Sequence, residues 1–303
     1  MYDLIIIGGG PAGLTAAIYA IRKRLNVTVL SKDLGGKTNY RLALPWVEDY
    51  QVIRGLEIVN RFRNELEYLD FACKIGTVEK IEKKGDHFII KTAGGANLET
   101  QAVILASGAR QVRMEVPGEK EYTMKGLCYS ALSYAPLFID KSVMVIGDAD
   151  LALRSAAELA TVAKEVTMVC ASDKLLDSPF GHKLQQAQNV KILMGCEIIE
   201  VQGDEYARKL IVKDKSGKVS EYSADGMFVE KALKPNTSMV EGLVELDEQG
   251  RIVIDSACRT NLPGLFAAGD VTNSYAEQVL IAVGEGAKAA LSAYEYLLPT
   301  LGR

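Results

Sequence analysis

Gly8, Gly10 and Gly13 carry the clearest chemistry in the sequence. They form G-x-G-x-x-G directly after the apolar run of DLIIIGGGPAGL and at the head of a helical pattern in which Pro11 takes the first position. Gly8 permits a tight turn, Gly10 removes the side chain that would hold off a pyrophosphate, and Gly13 lets helix and strand approach closely. Ala12 lies in the same turn, and the unpaired N–H groups of the helix start face the phosphate oxygens. An acidic residue for a ribose hydroxyl is missing at the end of the second strand. Ser31 stands there and offers a hydrogen bond in its place.

The remaining reactive residue types are scattered. Cys73, Cys128, Cys170, Cys196 and Cys258 never form C-x-x-C, so they read as small apolar residues and not as a disulfide framework or zinc site. His87 and His182 are too isolated for a metal centre, and no metal is expected. The net charge of -4, from 35 basic and 39 acidic residues, supplies no broad basic field for nucleic acid or an anionic membrane. The first apolar run is broken by glycine and proline before it could span a bilayer, and no charged leader precedes it. The expectation is a mature cytoplasmic protein.

Positioning such a turn needs a strand on one side and a helix on the other, and the chain supplies this unit twice. KSVMVIGDADLALRSAAELATVA repeats the opening order and is followed by the strand EVTMV. With 303 residues, 48% of them hydrophobic, two domains are expected. The expected class is α/β, with two Rossmann-like, three-layer nucleotide-binding domains, the second inserted in the first. Pro117 and Gly118 mark a crossing, which gives residues 1–116 and 246–303 as one discontinuous domain and 117–245 as the insert. The closing segment from RIVID onward reads as strands and one alanine-rich helix that return to the first domain.

Several segments together resemble the thioredoxin reductase family of FAD-dependent pyridine nucleotide-disulfide oxidoreductases. They are GGGPAGLTAA, DLGGK, ILASGAR, VMVIG, FVEKALKPN and GLFAAGDVTNSYAEQVLIAVGEGAKAA. The resemblance implies FAD as cofactor, held by Gly8, Gly10, Pro11, Ala12, Gly13 and Ser31. It adds Gly35, Gly36 and Lys37, where the family usually has Gly-Gly-Gln, and Ala106, Ser107 and Gly108. Val78 would touch the adenine through its backbone. Gly269 and Asp270 would bring a carboxylate to the ribityl chain, with Gln278 and Val279 against the isoalloxazine ring. Glu277 stands where the family often has arginine. A homodimer is implied by the family alone.

Other family features are missing. The redox dithiol C-A-T-C falls on Ser130, Ala131, Leu132 and Ser133, and a serine hydroxyl has no two-electron couple with which to reduce a disulfide. Cys128 lies nearby and reads as packing. In the second turn, Gly147-Asp148-Ala149-Asp150-Leu151-Ala152 replaces G-x-G-x-x-A. A methyl group and two carboxylates there oppose a pyrophosphate at the helix start. The family's basic grip on a 2′-phosphate falls on Cys170, Ala171, Ser172 and Leu176, and Ala232 replaces a later glycine. The expected function is an FAD oxidoreductase that exchanges electrons with a protein donor such as ferredoxin, or with a second cofactor, without NADPH and without a dithiol. Two alternatives stand: a non-catalytic FAD-binding subunit or regulator, and an NAD(P)H oxidase or ferredoxin-NADP reductase of this fold.

Overall fold

The computed structural model describes residues 1–47, 55–67, 72–172 and 174–301. Strand β1 (Tyr2–Ile7) is buried along Leu4 to Ile7, so its apolar run faces protein on both sides, as a central parallel strand must. The chain continues through α1 (Pro11–Arg22), β2 (Val27–Ser31), a single 3-10 turn at Gly36–Asn39, α2 (Gly55–Glu67) and β3 (Cys73–Ile75). Then come β4 (Val78–Lys84), β5 (His87–Thr92), β6 (Asn97–Leu105) and β7 (Ala109–Gln111). Strands β3, β2, β1 and β6 lie side by side and parallel. The long β6 then divides its other edge. Its first half takes antiparallel β5, and its last residues, Val103–Leu105, take a strand from the far end of the chain.

A second parallel sheet follows. After α3 (Glu119–Tyr122), β8 (Leu127–Cys128) and α4 (Ala131–Tyr134), the chain forms β9 (Ser142–Ile146), α5 (Asp150–Leu159), β10 (Glu165–Cys170), α6 (Pro179–Gln186) and β11 (Val190–Met194). Strands β12 (Glu197–Gly203), β13 (Ala207–Lys213) and β14 (Val219–Ser223) make a separate antiparallel sheet before β15 (Gly226–Val229) rejoins this second parallel sheet. The parallel order is β11-β10-β9-β15-β8. KILMGCEIIEVQ, which reads as one strand-like stretch, is split by Gly195 (φ +66) into β11 and β12 of different sheets. Strand β16 (Leu233–Pro235) pairs with β7, β17 (Leu265–Ala267) pairs with β6, and α7 (Val279–Leu297) closes the chain. In the closing segment, read as strands and one helix, RIVID forms only isolated bridges of Ile252 to Leu246 and Thr272, and the strand is β17.

The fold is thus mixed α/β with two Rossmann-type sheets, and the chain divides into two compact units. Unit 1 holds Met1–Asn39, Ile53–Arg110 and Lys234–Arg303, and unit 2 holds Tyr40–Val52 and Gln111–Leu233. These borders differ from the 116/117 and 245/246 read from sequence, and packing gives the reason. Val240 and Val244 enter the unit 1 core with Ile81 and Phe88. Leu42 and Leu44 enter the unit 2 core with Cys128 and Phe138, and Ala43 donates its N–H to the Met124 carbonyl at 2.8 Å. Within unit 1, α7 lies directly on α1. A Cβ on Gly286 would meet the Ala12 carbonyl oxygen at 2.2 Å, so the two helices touch backbone to backbone.

Candidate functional site

The β1–α1 turn has the conformation its glycines require. Gly8 has φ +111, and a Cβ there would meet the Ala106 carbonyl oxygen at 2.2 Å; one on Gly13 would meet the Gly8 carbonyl oxygen at 1.9 Å. Gly10 is different. Its φ is -74, and a Cβ on it would meet nothing within 4 Å. Its missing side chain leaves open space in front of α1, whose N-terminus has no side-chain cap and no acidic residue in the first turn. Such a helix end attracts an anion through its free N–H groups. Ser31 supports the turn: its Oγ accepts from Gly9 N–H at 2.8 Å and donates to the Asp33 carbonyl at 2.6 Å. What it can still offer a ligand is an acceptor lone pair.

Three further segments border this helix end. Gly35 and Gly36 have φ of +108 and +57, and a Cβ on Gly36 would lie 3.2 Å from the Gly10 Cα. Ala106 donates its N–H to the Ile7 carbonyl at 2.8 Å. Ser107 Oγ donates to the Asn236 carbonyl at 2.8 Å, and Gly108 has φ +66. Gly269 has φ +78, with its Cβ position 3.1 Å from the Ala12 Cβ. Asp270 accepts from Lys37 Nζ at 2.8 Å. Val78 is buried in the core cluster that contains Ile7 and Leu30, so only its backbone is available to a ligand.

The start of α7 completes the site. Gln278 caps that helix without a side-chain hydrogen bond, Val279 is its first residue, and the first turn has no acid. The Gln278 Nε2 is buried and has no hydrogen-bond partner. A buried amide nitrogen left unpaired costs about 1–3 kcal/mol, so it calls for an acceptor that a bound group would supply. Glu277 reaches the surface, yet the protein around it removes enough water to push its carboxyl above the usual range; Lys37 draws it back and Asp270 pushes it further up. The open space at Gly10, two helix starts free of acid and the unpartnered Gln278 amide together fit a dinucleotide carrying a diphosphate and a ring with hydrogen-bond acceptors.

Glu285 holds this arrangement together and escaped sequence reasoning. It is 8% exposed, accepts from Gly269 N–H at 2.7 Å through Oε2, and accepts from Ser274 Oγ at 2.7 Å through Oε1. It thereby fixes the Gly269–Ser274 turn to α7. One feature of the sequence marks it: Glu285 lies on the same helical face as buried Ala282, Ala289 and Ala293, where a carboxylate needs partners.

Unit 2 contains the second strand–turn–helix, with different chemistry. Gly147 keeps its tight turn, since a Cβ there would meet the Glu230 carbonyl oxygen at 2.2 Å. Asp148 folds across to the end of β10, where its Oδ1 accepts the Ala171 N–H. Asp150 adds a carboxylate to the first turn of α5, and Ala149 caps that helix. Cys170 and Leu176 are buried in the core. At the start of α4, Ser130 Oγ donates to Ser133 Oγ at 3.0 Å and accepts from Ser133 N–H. Glu230, 3% exposed, accepts the Ala131 N–H at 2.7 Å and ties α4 to the end of β15. Cys128 is fully buried, and burial, with Glu230 adding, pushes its thiol well above the ordinary value.

The sequence pattern of the pyridine nucleotide-disulphide oxidoreductases matches residues 2–286. The chain belongs to that family. A solved structure similar to it is the thioredoxin reductase from Streptococcus pyogenes MGAS5005, with 34% identity, 99% of both chains covered and a TM-score of 0.88. The thioredoxin reductase from Giardia duodenalis gives 30% identity over 98% of this chain and 99% of its own, with a TM-score of 0.86. Among curated proteins, an alkyl hydroperoxide reductase subunit of Pseudomonas putida is 36% identical over 99% of this chain and 59% of its own length. Its counterpart in Escherichia coli K12 is also 36% identical, with the same coverage. The chain thus spans less than two thirds of these curated relatives. No helix among the described residues is long and apolar enough to cross a membrane.

Proposed function

We propose that this member of the family is an FAD oxidoreductase that exchanges electrons with a protein donor such as ferredoxin, or with a second cofactor, and uses neither NADPH nor an internal dithiol. Bound FAD would supply one- and two-electron chemistry that no side chain here possesses. The N–H groups at the start of α1 would hold its phosphates, aided by the open space at Gly10. Ser31 would accept from a ribose hydroxyl, Asp270 would meet the ribityl chain, and Gln278 would give its unpaired amide to the ring. Gly35, Gly36, Ala106, Ser107, Gly108 and the Val78 backbone would line the remainder, and Glu285 would keep Gly269 and Asp270 in place. A homodimer accompanies this reading.

The observation that carries the reading is the Ser130–Ser133 hydrogen bond at the head of α4, two hydroxyls at the positions a redox dithiol would need. Thioredoxin reduction is not carried over from the similar structures for that reason. The Asp148 carboxylate on the Ala171 N–H supports the second half, because it places negative charge between a helix start and a strand end that would otherwise accept a phosphorylated ribose. The test is an anaerobic titration of the flavin absorbance with NADPH, NADH and reduced ferredoxin in turn. Bleaching by ferredoxin alone is the expected outcome. Rapid bleaching by either nicotinamide overturns the reading of unit 2, and no bleaching by any donor transfers the weight to a non-catalytic FAD protein.

A further inference from the structure

Two segments far apart in sequence lie close to the start of α1. The Gly35–Asn39 loop does so where Gly36 meets Gly10, and the Gly269–Thr272 turn does so where Gly269 meets Ala12. Between them, Lys37 Nζ donates to Asp270 Oδ2 at 2.8 Å, with side-chain exposures of 42% for Lys37 and 18% for Asp270. Each segment is held in place without this bond. Gly36 N–H donates to Asp33 Oδ1 at 3.0 Å and Asn39 Nδ2 to the Leu34 carbonyl at 2.9 Å. The other turn is fixed by Glu285 through the Gly269 N–H and the Ser274 hydroxyl. Each segment therefore has anchors besides the ion pair, and what the pair adds is a removable side-chain link between two segments that border the start of α1.

We infer that the Lys37–Asp270 ion pair is a clasp that governs release of the bound flavin dinucleotide, an inference that rests on the FAD reading above. While the pair is closed, the two segments flanking the α1 N-terminus are joined, and a dinucleotide leaves only after Lys37 swings into solvent. The half-exposed lysine makes this opening easy, and the more sheltered aspartate makes closure favourable. The lysine charge also adds to the positive field of the helix start, so the clasp and the phosphates attract the same cation. Because a partly exposed pair contributes modestly and is screened by salt, its removal changes a rate by about two- to fivefold.

The experiment follows the recovery of free-flavin fluorescence when FAD-loaded protein is diluted at low and at high sodium chloride. The chains compared are the wild type, Lys37→Gln and Lys37→Arg. At low salt Lys37→Gln is expected to release flavin about two- to fivefold faster than wild type, and Lys37→Arg, which keeps the charge, more slowly than Lys37→Gln. High salt is expected to bring wild type up toward the Lys37→Gln rate while leaving that variant nearly unchanged. Flavin that binds but leaves wild type and Lys37→Gln at the same rate overturns the clasp alone. A chain that takes up no FAD overturns the FAD reading and the clasp with it.

Discussion

Three glycines of one motif serve three separate purposes, and single substitutions separate them. Gly10→Ala meets no neighbouring atom and has a φ that any residue adopts. The flavin-free protein is expected to keep its stability or gain up to about 1 kcal/mol, because alanine restricts the unfolded chain, while FAD affinity falls. Gly13→Ala drives a methyl group to within 1.9 Å of the Gly8 carbonyl oxygen, so stability and FAD binding fall together. Thermal unfolding beside an FAD titration checks the pair. If Gly10→Ala binds FAD as wild type does, the open space in front of α1 is not the phosphate cradle. At Ser31 the sequence shows a hydroxyl, and the structure shows that its proton is already given to Asp33.

At the scale of elements, buried carboxylates fasten one piece of secondary structure to the next. Glu119 of α3, 2% exposed, accepts the N–H groups of Met114 and Glu115 and the Tyr129 hydroxyl at 2.9 Å. Burial pushes the Tyr129 phenol up to about 12, and the neighbouring Glu119 carboxylate opposes its ionisation. A phenol that ionises later in the folded chain than in the unfolded one contributes stability that is intact below pH 10. That contribution is lost between pH 10, where the unfolded chain ionises, and about 12. Wild type is therefore expected to lose stability more steeply than Tyr129→Phe across that window, as read from denaturant unfolding at a series of pH values. Equal slopes would show that Tyr129 does not carry the effect. The carboxylates themselves are legible in the sequence as letters only, since which backbone N–H each one meets depends on elements 16 residues apart at Gly269 and Glu285, and 99 apart at Ala131 and Glu230.

For the whole molecule, the two nucleotide-type units make opposite claims that one measurement compares. A ligand that binds only the folded chain stabilises it by mass action, about 2.7 kcal/mol at a hundredfold excess over its dissociation constant. FAD is expected to raise the unfolding temperature of the flavin-free chain, and NADPH or NADH is expected to leave that of the FAD-loaded chain, whose unit 1 site is filled, unchanged. A rise with either nicotinamide would mean that unit 2 binds a nucleotide despite Asp148, Ala149 and Asp150. Sequence alone determined the α/β class, the repeated strand–turn–helix and the hydroxyl side chains of Ser130 and Ser133. These follow from local periodicity, glycine geometry and side-chain chemistry, none of which needs a long-range contact. Tertiary structure decided the rest. Leu42 and Leu44 belong to unit 2 because they are buried in its core, RIVID is no strand because its partners are single bridges, and Asp148 closes its own turn because β10 ends beside it. Lys37 meets Asp270 for the same kind of reason: a distance of 233 residues along the chain becomes 2.8 Å only once α1, β1 and α7 have packed.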